Sequence, residues 1–200
     1  MSARDVVVVA SGGANIASLR FALERLGAPC TLSADPERIR SASHVILPGV
    51  GAAGDAMRRL KRAGLERTLP ALTQPVLGIC LGMQLLHQAS EEGGASCLGI
   101  IPGTAARFAD GPARPVPHMG WNTLAIERDS PLLEGLGRAD YAYFVHSYAL
   151  PPGAATIASC EYGVKFSACV SWRNFFGAQF HPERSAGTGA RLLANFLRLG

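Results

Sequence analysis

The sequence predicts an α/β fold, with a mainly parallel central sheet covered by helices on both faces and an antiparallel extension in its second half. Three observations carry this. Strand and helix signals alternate through the first half of the chain, as in successive βαβ units. The apolar runs there are continuous, which fits strands buried on both faces. From Gly93 onward the helix signals give way to Gly/Pro-rich sequence and closely spaced strand-like runs.

Val6–Ala10 is a β-branched run and reads as the first strand. Ser11-Gly12-Gly13 breaks it. Ile16, Leu19, Leu23 and Leu26 then recur at helical spacing, with Gly27 as the stop. Cys30–Leu32 is a short second strand, and His44–Leu47 is a third, ended by Pro48-Gly49. A helix is expected over Ala52–Ala63 and a shorter one before Pro70. Pro75–Ile79 reads as a buried strand and Leu81–Ala89 as the helix after it. Gly93–Gly120 reads as loops with short strands. Tyr141–Leu150, Ala155–Cys160, Phe166–Val170 and Phe175–Phe180 are expected strands, and Arg191–Leu199 a closing amphipathic helix. No linker divides the 200 residues, so one domain spanning 1–200 is expected. In parallel sheets of this kind sites form at the carboxyl ends of the strands.

The hydrophobic share is 48%, ordinary for a chain with a sizeable core. The N-terminal apolar run is too short for a signal peptide and follows an acidic residue, so a cytoplasmic protein is expected. The five cysteines are odd in number, widely spaced and free of any Cys-x-x-Cys pair, so neither zinc nor a disulfide framework is expected. Formal net charge is +4, with Lys61 and Lys165 the only lysines. The one basic cluster, Arg58, Arg59, Lys61 and Arg62, lacks interleaved aromatics and reads as a solvated helix face, not a nucleic-acid patch.

Chemistry concentrates at two places. Gly78-Ile79-Cys80-Leu81-Gly82 is a Gly-x-nucleophile-x-Gly pattern between an expected strand and an expected helix. A nucleophile on that sharp turn needs strained backbone angles, and flanking glycines let neighbouring backbone pass closely. The helix start favours negative charge, and the amide of Leu81 is placed to meet an oxyanion. The second place is Phe180-His181-Pro182-Glu183, at the end of an apolar strand. An extended backbone would put both polar side chains on one side, with His181 as the base for Cys80 and Glu183 holding its tautomer. His44 and His87 read as structural.

Together Gly78–Gln84 and Phe180–Glu183 resemble the class I (triad) glutamine amidotransferases. Leu47–Met57, Pro117-His118-Met119-Gly120-Trp121-Asn122 and Tyr143-Phe144-Val145-His146-Ser147-Tyr148 narrow the likeness to the glutaminase subunits of imidazole glycerol phosphate synthase. The resemblance implies a three-layer, flavodoxin-like sandwich that uses no cofactor or metal. Cys80, His181 and Glu183 would hydrolyse L-glutamine through a glutamyl thioester. Backbone amides of Gly49, Val50 and Gly51 would join that of Leu81 in the oxyanion hole. Gln84, Glu92, Ser147 and Tyr148 would hold the substrate, Glu92 at its α-amino group, with Glu91 as the other candidate. Ammonia would pass to a (β/α)₈-barrel cyclase subunit in a heterodimer serving histidine biosynthesis. Asn15, His118, Trp121, Tyr143, His146 and Arg184 would face that partner, with His118 and Trp121 exposed. Two positions depart from the usual pattern, Ala14 for glycine and Arg184 for lysine.

Other readings are the glutaminase subunit of another ammonia-channelling enzyme such as anthranilate synthase, a cysteine peptidase or hydrolase, and a silent binding module. The Trp121 and His146 segments, Gln84 with the Pro48–Gly51 loop, and the intact Cys80, His181 and Glu183 argue against them in turn.

Overall fold

The computed structural model describes residues 5–10, 16–111 and 114–200. Its first half comprises Val6–Val9 (β1), Ile16–Arg25 (α1), Cys30–Ser33 (β2), Pro36–Ser41 (α2), His44–Gly49 (β3), Ala53–Arg62 (α3), Leu65–Thr68 (α4), Val76–Cys80 (β4) and Leu81–Leu85 (α5). Strands follow at His87–Ser90 (β5), Ala95–Ser96 (β6), Ile101–Arg107 (β7), His118–Thr123 (β8) and Ala125–Ile126 (β9). Then come Tyr141–His146 (β10), Tyr148–Ala149 (β11), Thr156–Glu161 (β12), Lys165–Trp172 (β13), Phe175–Ala178 (β14) and Ala186–Phe196 (α6).

Among the described residues, eight strands form one sheet in the order β2-β1-β3-β4-β14-β13-β12-β9. The first five are parallel and the last three antiparallel to their neighbours. This is the mixed sheet that the sequence predicts. The decisive placement is β14, which returns from the end of the chain to lie beside β4, with Ala178 opposite Ile79.

The period-2 geometry of a strand divides the valines of β1 between two cores. Val6 and Val8 pack on one face of the sheet with Leu19 and Leu23 of α1 and Leu192, Leu193 and Phe196 of α6. Val7 and Val9 pack on the other with Ile39, Ala56, Leu60, Leu65 and Leu81, from α2 to α5. Burying each such aliphatic side chain is worth about 1.5–3 kcal/mol. A strand apolar at every position is thereby stabilised from both sides, the three-layer arrangement.

Three local expectations are corrected, and one helix is added. The helix after Cys80 stops at Leu85, well short of Ala89, and His87 opens a strand. The Nδ1 of His87 lies 3.0 Å from the Met83 carbonyl, the acceptor that the next turn of helix would have used. The run Tyr141–Leu150 breaks at Ser147 into two strands, β10 pairing with β8 and β11 with β7. The short helix α2 carries no periodic signal but has a capping one: the Asp35 carboxylate accepts the Glu37 N–H, with Pro36 at the first helical position. The closing helix begins at Ala186, earlier than its apolar period suggests. Among the described residues no helix is long and apolar enough to cross a membrane.

Candidate active site

Three strands bring their carboxyl ends together. In the β3–β4 register Gly49 stands opposite Cys80, and β14 runs out beside them toward His181. A cavity of about 370 Å³ opens there, lined by Val50, Gly51, Cys80, Leu81, Gln84, Glu92, Ser147, Tyr148 and His181 among others.

Cys80 sits on the sharp turn with φ 53° and ψ −114°, left-handed backbone that non-glycine residues rarely adopt. The flanking glycines are required by contact. A Cβ on Gly82 would lie 1.8 Å from the Leu47 carbonyl oxygen, and one on Gly78 would lie 2.7 Å from the Gly82 carbonyl oxygen and the Met83 backbone. The turn between β4 and α5 is therefore pressed against β3, which holds Cys80 in its strained conformation. The Sγ lies 3.9 Å from the Val145 carbonyl and 3.8 Å from the Gln179 amide nitrogen.

His181 is buried and reaches both Cys80 and Glu183. Its Nδ1 lies 2.8 Å from Glu183 Oε1, and its side chain lines the same cavity as Cys80. Burial opposes the imidazolium. The hydrogen bonds and charge of Cys80 and Glu183 outweigh burial and push His181 up to about 10. Glu183 does not reach His181 along an extended chain, as the sequence suggests. Pro182–Arg184 forms a 3₁₀ turn that folds the carboxylate back onto the ring. Glu183 Oε2 is buried without a hydrogen-bond partner among the described residues.

The His181 main chain is tied to β10. Its N–H donates to the Tyr143 carbonyl at 3.0 Å, and the Ser185 hydroxyl donates to the His181 carbonyl at 2.7 Å while accepting the Tyr143 N–H at 2.9 Å. Ser185 and Gln179 are site residues that motif reading misses. Gln179 carries one legible signal: it is a fully buried polar residue in the apolar run Phe175–Phe180.

The residues that the sequence assigns to a ligand converge. The Gln84 amide donates to the Tyr148 carbonyl at 2.8 Å and to Gln179 Oε1 at 3.0 Å. Glu92 lines the cavity, where its Oε2 accepts the Ala53 N–H at 2.8 Å. Glu91 is turned away, accepting the Arg107 N–H. Val50, Gly51 and Leu81 line the cavity, and Gly49 abuts the start of α5.

The residues assigned to a partner divide by strand parity. Trp121 is 53% exposed and meets Tyr143 across the strands, ring centroids 5.9 Å apart. His118, expected on the surface with it, is buried, and so is His146. Residues three apart in a strand point to opposite faces, so Trp121 and His118 cannot share one. The outward face of β8 and β10 presents Met119, Trp121, Tyr141 and Tyr143. Arg184 is exposed. Asn15 lies outside the described residues.

Residues 7–199 match the class-I glutamine amidotransferase family. The chain is 52% identical over 195 residues to the imidazole glycerol phosphate synthase subunit HisH of Xanthomonas axonopodis pv. citri (strain 306), covering 98% of each chain. It is 53% identical to the subunit of the same name from Idiomarina loihiensis, again covering 98% of both. A solved structure described as a glutamine amidotransferase superposes with a TM-score of 0.75 at 22% identity, covering 96% of each chain.

Proposed function

The chain belongs to the class-I glutamine amidotransferase family, and from that premise we propose that it is the glutaminase subunit of imidazole glycerol phosphate synthase, with Cys80, His181 and Glu183 as its catalytic triad. One observation carries the assignment of the triad. Cys80, on a strained turn, lines one cavity with a histidine that Glu183 orients and with Gln84 and Glu92.

The chemistry follows from the geometry. Cys80 passes its thiol proton to His181, and its sulfur attacks the side-chain carboxamide carbon of glutamine, forming a C–S bond. Charge developing on the carboxamide oxygen is met by the Leu81 amide and by those of Gly49, Val50 and Gly51. His181 gives its proton to the leaving nitrogen as the C–N bond breaks, so ammonia departs and a glutamyl thioester remains. Water then attacks the thioester. His181 takes the water's proton, the C–S bond breaks and glutamate leaves. Glu183 keeps Nδ1 protonated and stabilises the imidazolium. The Glu92 carboxylate suits the α-ammonium group of the substrate.

Ammonia released into water is largely protonated and a poor nucleophile, which favours direct transfer to a synthase partner. The outward face of Met119, Trp121, Tyr141 and Tyr143 has the aromatic composition of a protein interface. Its Tyr141 and Tyr143 lie on β10, the strand whose main chain is tied to His181. We assign it to the (β/α)₈-barrel cyclase subunit. The test is to mix the chain with that cyclase and glutamine, quench in acid and map the adduct by mass spectrometry. The expected product is a glutamyl adduct on the peptide bearing Cys80. A steady-state turnover with the adduct on another residue would overturn the assignment.

A further inference from the structure

We propose that His118 and His146 are positioning residues: a buried imidazole pair that holds the Tyr148 carbonyl, and through it the amide of Gln84, in a single orientation. The inference rests on the reading of Gln84 as a ligand-holding residue and adds what fixes it.

The direction of every proton in this chain of contacts follows from its ends. His146 Nδ1 lies 2.9 Å from the Tyr148 carbonyl oxygen, which can only accept, so Nδ1 carries a hydrogen. His118 Nδ1 lies 3.2 Å from His146 Nε2. At the far end Asn122 Nδ2 lies 3.4 Å from His118 Nε2. The Asn122 amide cannot be reversed, because its Nδ2 donates to the Glu161 carbonyl at 2.9 Å and its Oδ1 accepts the Thr123 N–H at 2.8 Å. His118 Nε2 therefore faces a donor and must be the acceptor, which leaves Nδ1 as the nitrogen with the hydrogen. That hydrogen points at His146 Nε2, which must accept it. Both rings are thus neutral and both are in the Nδ1–H form. Burial favours the same state, holding His118 down to about 4 and His146 to about 3.

Packing locks the rings. His118 is stacked between Phe144 and Tyr162, at centroid distances of 5.0 and 4.1 Å. It stands opposite His146 in the β8–β10 register.

The chain ends where it matters for a ligand. The Tyr148 carbonyl has two lone pairs, one taken by His146 and one by the Gln84 amide. The second N–H of Gln84 goes to Gln179 Oε1. Both amide hydrogens of Gln84 are thereby used, and its Oε1 takes no hydrogen bond among the described residues. Gln84 lines the cavity, so it offers a ligand an acceptor. A ligand presenting an N–H there is matched, and a flipped amide would present donors instead. The pair therefore fixes the polarity of this part of the site from the inner face of the sheet whose outer face carries Trp121.

Two measurements on the full-length protein test the proposal. Nitrogen-15 NMR of the ring nitrogens should show both His118 and His146 as the Nδ1–H tautomer, unchanged between pH 8 and 5.5. This reading needs no turnover, so it stands or falls separately from the glutaminase assignment. The second compares His118→Phe, which keeps the stacked ring but removes the donor, with His118→Asn, whose amide can donate from the Nδ1 position. With the cyclase present, His118→Phe should raise KM for glutamine about tenfold, as expected for one buried hydrogen bond, with kcat changed far less. His146 should keep the Nδ1–H form in that variant, because the Tyr148 carbonyl still faces its Nδ1, while its Nε2 loses the hydrogen bond from His118. His118→Asn should restore most of KM. An Nε2–H tautomer at His146 in the wild type would overturn the proposal. So would a His118→Phe variant with unchanged KM, or a His118→Asn variant impaired as badly as His118→Phe.

Discussion

The carboxylate of Glu92 accepts the backbone N–H of Ala53 at 2.8 Å, across 39 residues of sequence. Ala53 opens α3, whose N-cap residue Ala52 has no side chain able to do this. Glu92 thus caps the helix that follows the Gly49–Gly51 loop, while lining the cavity beside Cys80. Its two roles separate by mutation. Glu92→Gln keeps an oxygen for the cap but loses the charge, so stability should change by less than about 1 kcal/mol. KM for glutamine should rise about tenfold or more, the cost of losing a charged hydrogen bond to the α-ammonium group. Glu92→Ala should lose about 1 kcal/mol of stability as well. Denaturant titration and steady-state kinetics read the two effects.

Glu183→Gln tests how His181 is held. The amide cannot supply the charge that lifts His181, and it can present N–H₂ to Nδ1, imposing the wrong tautomer. The kcat for glutamine hydrolysis should fall about a hundredfold or more, and NMR titration should show His181 returning toward its ordinary range. Ammonia-dependent synthesis by the complex should be little changed.

The buried histidines make stability depend on pH in a defined direction. Burial holds His87 and His118 down to about 4 and His146 to about 3, whereas in an unfolded chain each titrates near about 6.5. Between those limits the unfolded state binds more protons. The stability these groups contribute is therefore fully present above about 6.5 and lost as the pH falls through their folded values. His181 has the opposite sign. Raised to about 10, it contributes stability that is fully present below about 6.5 and lost as the pH rises through its folded value. Denaturant unfolding followed from pH 7 to 4.5 should steepen toward the uptake of about three protons, each worth about 1.4 kcal/mol per pH unit. His87→Asn should remove about one of them. A flat acid limb would contradict this account of the core.

The turn that holds Cys80 has no room for a side chain. Gly82→Ala would put a methyl carbon 1.8 Å from the Leu47 carbonyl oxygen. Backbone must move, so the variant should lose at least about 3 kcal/mol, read as a lowered unfolding midpoint, together with glutaminase activity.

How much of this the sequence reveals depends on distance along the chain. The Cys80 turn is legible because strand, nucleophile, glycines and helix are all within a few residues. The proximity of His181 is less so, because it requires β14 to slot beside β4, a pairing that no local pattern encodes. Helix α5 is shorter than its apolar pattern, and the His87 ring lies against the Met83 carbonyl where the next turn would have continued. The burial of His118 follows from parity once Pro117–Asn122 is seen to be a strand, but its Gly and Pro content hides that. Glu92 and Glu91 are adjacent and alike in sequence. They are told apart only by contacts distant in sequence, Glu92 with the Ala53 N–H and Glu91 with the Arg107 N–H. Gln179 and Ser185 escape motif reading because their roles are to hold other site residues by hydrogen bonds between elements.

The most direct test of the central claim is Cys80→Ala in complex with the cyclase, assayed with glutamine and with ammonium salt as alternative nitrogen donors. Cys80 is buried against His181 on a strained turn, so its sulfur should be needed to release ammonia from glutamine and not to use it. The account predicts that glutamine-dependent turnover is abolished, while ammonia-dependent turnover stays within about twofold of the wild type. Glutamine-dependent turnover that survives the substitution, or loss of both activities in a folded complex, would contradict it.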